Sequence, residues 1–178
     1  MRRVLIAVAA SLGILGSFAG DQHARSDLET WREIAWPFPR DGWPAGRAFR
    51  CTDDGCGGEI ELYVRPKIGF CNCDRGVTDD DEVDRVVDLD LISQRFAPLE
   101  SGRTIRVADM PGRLRPYDLR LADGSEHSAV GIAVSRRCDL LVAVAQGNST
   151  VPRIQKIAME LLGSREIGRW MVAAMDGR

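Results

Sequence analysis

The clearest alternation in the chain lies in EIELYVRP, where Ile60, Leu62 and Val64 fall on one side and Glu59, Glu61, Tyr63 and Arg65 on the other. That period of two is the signature of a half-buried β-strand. In the preceding GRAFRCT, Phe49 and Cys51 share one face and Arg50 takes the other. The connecting DDGCGG supplies glycines that accept positive φ, so the two runs predict an antiparallel hairpin.

A change of period follows. In GVTDDDEVDRVVDLDLISQRF, Val83, Val86 and Val87, continuing to Leu91, make a helical stripe. Thr78 is the expected N-cap, with Asp79, Asp80, Asp81 and Glu82 in the first turn, where negative charge complements unsatisfied N–H groups. Beyond Gly102 the alternation returns in TIRVADM and GRLRPYDLRL, with a turn expected at ADGSEHS. SAVGIAVSRRCDLLVAVAQG holds two more strands. From Leu140 to Ala145 both alternating faces are apolar, as in a strand covered on both sides. Two helical stripes close the chain: Ile154, Ile157, Ala158, Leu161 and Leu162, then Ile167, Trp170, Met171 and Ala174, separated at Gly163 and Ser164. Thr150 and Pro152 suit the first helix start.

The N-terminal region has a different character. Two arginines, an apolar run from Val4 to Leu15 and small residues around Ser17 and Ala19 read as an export signal spanning residues 1–19, cleaved after Ala19. The apolar run is too short for a comfortable membrane span, and an uncleaved N-terminal anchor is the alternative reading. Residues 20–46 form a Trp- and Pro-rich arm: Leu28, Trp31 and Ile34 have helical spacing, predicting a short helix over Asp27–Ala35 that Pro37 and Pro39 stop. Trp36, Phe38 and Trp43 are expected to pin the arm to the body. Residues 47–178 are expected to form one domain.

This element order predicts an α+β fold: a mainly antiparallel sheet with helices on both faces, since the central strands need cover on each side. The layout, with PFPRDGWP (Phe38-Pro39 and Gly42-Trp43) ahead of the first hairpin, resembles the α/β/α sandwich of PsbP-, Mog1- and DcrB-type proteins. The resemblance implies a non-enzymatic accessory role and transfers no functional residue.

Charge and cysteines narrow the function classes. The chain has 24 Lys and Arg against 26 Asp and Glu, net −2, and loss of Arg2 and Arg3 with the leader makes the mature balance more acidic. That argues against nucleic acid as a partner. An exported chain meets an oxidising compartment, so Cys51, Cys56, Cys71 and Cys73 are expected to form two disulfides. Cys71 and Cys73 are too close to bond each other. The expected bridges therefore run from Cys51 and Cys56 to Cys71 and Cys73 in either order, with Cys51–Cys71 and Cys56–Cys73 the marginal choice; Cys138 reads as an inert core residue, with an intermolecular bridge or a pairing with one of the four as alternatives. The alternative is a zinc or Cu(I) site built on the same four thiolates.

The run Asp79, Asp80, Asp81 and Glu82 also offers an acidic patch to a basic partner. His127, with Asp123, Ser125 and Ser128 nearby, invites a hydrolase reading. No G-x-S-x-G elbow supports it, and polar residues at a hairpin tip explain the cluster better. Asn148-Ser149-Thr150 matches a glycosylation acceptor, yet serves equally as a helix-start loop. No cofactor motif and no catalytic set emerge. The reading that remains is an exported, periplasmic or secreted binding or assembly module with an unidentified protein or small-molecule partner.

Overall fold

The computed structural model describes residues 30–52, 54–70 and 73–177. The expected leader and Cys71 lie outside them. Among the described residues eight strands form one sheet: β1 (Trp31–Ile34), β2 (Arg47–Cys51), β3 (Ile60–Lys67), β4 (Phe96–Pro98), β5 (Arg103–Val107), β6 (Met110–Arg120), β7 (Glu126–Arg136) and β8 (Asp139–Gly147). Their order is β1-β2-β3-β8-β7-β6-β4, with β5 paired to the first half of β6, and every pairing is antiparallel.

Helices cover both faces. α3 (Val151–Gly163) and α4 (Arg165–Met175) bury Ile154, Leu161 and Met171 against Ile60, Leu62 and Val64. On the opposite face α1 (Asp80–Val86) and the short α2 (Leu89–Ile92) set Val83, Val86 and Leu89 over Tyr117 and Leu119. β8 serves both cores: Leu141, Ala143 and Ala145 face α3 and α4, while Leu140, Val142 and Val144 face the α1–α2 side. The two-sided apolar run expected of a doubly covered strand is met, and with it the α+β sandwich.

The β2–β3 hairpin forms with Arg50 opposite Glu61 and Cys51 opposite Ile60. Gly57 and Gly58 in its loop take φ values of 68° and 142°, the conformational freedom the sequence reserved for glycine. α1 starts one residue later than expected: Asp79, not Thr78, is the N-cap, its Oδ1 accepting from the Glu82 N–H at 2.8 Å. The helix ends at Val86, so Leu89 rather than Leu91 continues the buried stripe. Thr150 caps α3, and Ser164 both ends α3 and begins α4, where its side chain accepts from the Ile167 N–H.

Two further expectations are corrected. Residues expected in a helix over Asp27–Ala35 instead supply the edge strand β1, with Trp31 opposite Cys51 and Ile34 opposite Ala48. A short segment ahead of two prolines gains a full ladder from the open edge of β2, which outweighs a weak helical pattern. Glu33 then accepts a fork from Arg47 at 2.8 and 2.6 Å, fastening the edge strand.

The cysteine pairing also differs: Cys51 bonds Cys56, and Cys73 bonds Cys138. The eight residues of β3 separate its two ends by roughly 25 Å. Cys51 and Cys56 sit beside its start, the helical turn Asp54–Cys56 bringing their Cα atoms to 6.3 Å. Cys73 follows its far end, where the β7–β8 turn presents Cys138 with a Cα separation of 4.4 Å. A Cys56–Cys73 bridge would have to span the length of β3. Cys138 is thus a surface bridge in a turn, not a core thiol.

Candidate functional site

Strand register brings a row of polar residues together at one end of the α1–α2 face. Glu61 on β3 stands between Arg50 on β2 and Gln146 on β8. Gln146 is opposite Ala129 on β7, and His127 lies two residues before Ala129 on the same face. The middle of this face is apolar, and at this end it turns polar.

Glu61 is the hub. Its Oε1 accepts from Arg50 Nε at 2.9 Å and from Arg50 Nη2 at 2.6 Å. Its Oε2 accepts from the Tyr63 hydroxyl and from Gln146 Nε2 at 3.0 Å. Burial, reinforced by the bond to Glu61, holds the Tyr63 phenol well above the ordinary tyrosine range, so it stays protonated and donates. Gln146 is nearly buried and presents its remaining carbonyl, Oε1, to His127 Nδ1 at 2.5 Å. Beyond this relay opens a cleft of about 410 Å³ lined by Glu59, Glu61, Leu121, His127, Gln146 and Asn148. Two larger grooves, about 540 Å³ beside β4 and about 590 Å³ between α4 and the β5–β6 turn, lack such convergence. Arg120 pairs with Glu126 in the first, and Asp176 in the second pairs with Arg136.

Neighbouring this row, the arm is clamped to the same face. Trp36 and Phe38 make edge-on contacts with Tyr63 at 6.3 and 4.8 Å, and Trp43 meets Phe70 at 5.5 Å. The anchoring role expected of Trp36, Phe38 and Trp43 is what their contacts show. Beneath them lies a cluster the sequence did not disclose, joining Arg65, Lys67, Asp41 and Asp88.

The acidic run is divided by the fold. Asp79 caps α1, and Glu82 pairs with Arg85. Asp80 turns toward the sheet, accepting from Arg113 Nε at 2.5 Å and from the Gly102 N–H. Asp81 is exposed. Asp84, outside the expected four, accepts from Arg115 at 2.6 Å and from the Tyr117 hydroxyl at 2.5 Å. The run therefore docks α1 onto β6 as much as it charges the surface.

His127, Asp123, Ser125 and Ser128 are not assembled into one site. Ser125 donates to Asp123 within the turn, whereas His127 lies in β7 and bonds Gln146. Ser128, adjacent in a strand, points to the other face. The sulfurs of Cys51, Cys56 and Cys73 are consumed in disulfides, which removes the thiolates a metal centre there would need. Among the described residues no group of three or more His, Cys, Asp or Glu side chains is placed to hold a metal ion, and no helix is long and apolar enough to cross a membrane.

In the sequence Gln146 and Glu61 read as ordinary strand residues. A polar glutamine ending an otherwise apolar doubly covered strand was the available signal.

No protein-family model matches the chain, and no curated protein matches it. Among solved structures the chain is similar to a Pseudomonas aeruginosa protein of unknown function described as a regulator, at 14% identity over 71% of this chain and 86% of that one, with a TM-score of 0.46. It is also similar to the cyanobacterial PsbP protein of Synechocystis, at 13% identity over 91% of this chain and 98% of that one, with a TM-score of 0.45.

Proposed function

We propose that the protein is an exported, non-enzymatic binding or accessory module whose mature chain begins after Ala19, and that its binding site is the cleft beside His127. In this reading residues 20–46 are an N-terminal arm, of which Trp36, Phe38 and Trp43 pack on the α1–α2 face, and residues 47–178 carry the site. Two disulfides support an oxidising, periplasmic or extracellular setting. Asp79 and Asp81, at the start of α1, would give a basic partner protein a further point of attachment.

One observation carries the proposal. Four donors converge on the two oxygens of Glu61, and Gln146, held there through its amide nitrogen, presents its carbonyl to the ring of His127 at the side of a cavity. Such supporting shells belong to sites whose side chains must be held for recognition. A cavity of about 410 Å³ is within the range of small-molecule sites.

The test is amide-shift mapping of the mature protein against pools of small amines, carboxylates, sugars and neutral alcohols. Shifts clustered at Glu59, His127 and Asn148 support the proposal. Pools that leave those three residues unmoved while shifting others relocate the site and overturn it. N-terminal sequencing of protein recovered from the exporting cell's envelope should begin at Gly20, and a chain still starting at Met1 in the cytoplasm would refute export.

A further inference from the structure

Building on the binding-module reading, the geometry points to a ligand class: the cleft takes a small aliphatic ammonium, whose N–H donates to Nε2 of His127 and whose charge is balanced by Glu59.

The argument begins at Glu61. A carboxylate accepts only, so the Gln146 atom that meets its Oε2 at 3.0 Å is the amide nitrogen. The other end of the amide is therefore a carbonyl, and the His127 Nδ1 it meets must carry the proton. In the neutral imidazole this leaves Nε2 as an acceptor. The relay Tyr63 and Arg50 to Glu61, Glu61 to Gln146, Gln146 to His127 thus has one chemical result. It fixes the tautomer of a histidine that lines the cleft.

Charge selects the ligand further. Glu59 and Glu61 bring two negative charges against one from Arg50, whose guanidinium already donates twice to Glu61 and lies 3.4 Å from Glu59. Glu59, Glu61 and Arg50 leave one net negative charge beside the cleft, and a neutral imidazole adds an acceptor at Nε2. An anion would meet Glu59 and a committed arginine, so it is repelled. A monocation finds both an acceptor and an offsetting carboxylate. Leu121 adds an apolar wall suited to a short alkyl chain.

The test compares three four-carbon probes on the mature protein: 1,4-diaminobutane, 1,4-butanediol and succinate, followed by imidazole nitrogen and amide spectra and by calorimetry. The free protein should show His127 as the Nδ1–H tautomer. The diamine should shift Nε2 of His127 and the amides of Glu59 and Asn148, and should bind at least tenfold more tightly than either control. Glu59→Gln, an exposed position, should weaken the diamine about fivefold with thermal unfolding unchanged. Gln146→Leu should release the tautomer.

An Nε2–H tautomer in the free protein overturns the inference. Tighter binding of succinate or butanediol at the same residues overturns the ligand class while the binding-module reading stands. If none of the three probes moves these resonances the ammonium inference falls, and the pooled screen alone decides the broader proposal.

Discussion

Arg65 and Asp88 meet fork to fork beneath the arm, Nε to Oδ2 at 2.6 Å and Nη2 to Oδ1 at 2.7 Å, with the arginine side chain only 3% exposed. Asp41 takes the remaining side of the same guanidinium at 2.8 and 2.7 Å, and Lys67 lies 2.8 Å from Asp88 while donating to the Val86 carbonyl. Two cations and two carboxylates thus join strand, arm and the α1–α2 connection, and the cluster is neutral as a whole.

Removing one member of a buried ionic group leaves an uncompensated charge, which costs about 3–5 kcal/mol. Asp88→Ala should lower the urea unfolding free energy by that order. Asp41→Ala, more open to water, should cost about 1 kcal/mol and shift tryptophan emission as the arm loosens. Equal losses for the two variants would show that Asp88 is not the buried centre.

The disulfides make a second prediction. Peptide mapping without reduction should return Cys51–Cys56 and Cys73–Cys138, and alkylation should find at most one thiol per chain. The bridges close loops of very different size, with separations of 5 and 65 residues. Loop-closure entropy then makes the Cys73–Cys138 bridge worth about 4 kcal/mol and the Cys51–Cys56 bridge about 2 kcal/mol. The paired serine variants should differ in that order on thermal unfolding. A larger loss from Cys51→Ser with Cys56→Ser would contradict it.

Acid should unfold the protein through three carboxylates. The Arg113 hydrogen bond, aided by the Gly102 N–H, holds Asp80 below the ordinary aspartate range, while Arg65 does the same for Asp41 and Arg47 for Glu33. The unfolded chain takes up these protons at higher pH than the folded one. Their stabilisation is therefore complete above about pH 5 and is lost as pH falls through the lowered folded values. Urea midpoints measured from pH 6 to pH 2 should decline on that limb. Asp80→Asn should flatten it, and an unchanged slope would refute the assignment.

Gly131, in the middle of β7, is a packing requirement. A Cβ there would stand 2.9 Å from Cε2 of Tyr117 and 3.1 Å from Cγ2 of Val87. Gly131→Ala should cost about 1–3 kcal/mol through overpacking, and Tyr117→Leu should recover part of that loss. A neutral Gly131→Ala would mean the face is looser than drawn.

How much of this was legible beforehand depends on the distance over which each feature is encoded. The faces of β3, the double-sided burial of β8, the α3–α4 pair and the placing of helices on both faces follow from apolar periods within a dozen residues. Those periods fix which side of each element must leave water. β1 was misread because four residues carry too little pattern, and the open edge of β2 decided their state. The relay joins Glu61 and Gln146 across 85 residues and His127 to Gln146 across 19. The cysteine partners likewise depended on which strand end each loop leaves. The sequence by itself determined what must be buried. Only the antiparallel register, set by packing both sheet faces at once, decided which polar and sulfur groups meet, because a shift of one residue would turn Glu61, Gln146 and His127 to opposite sides.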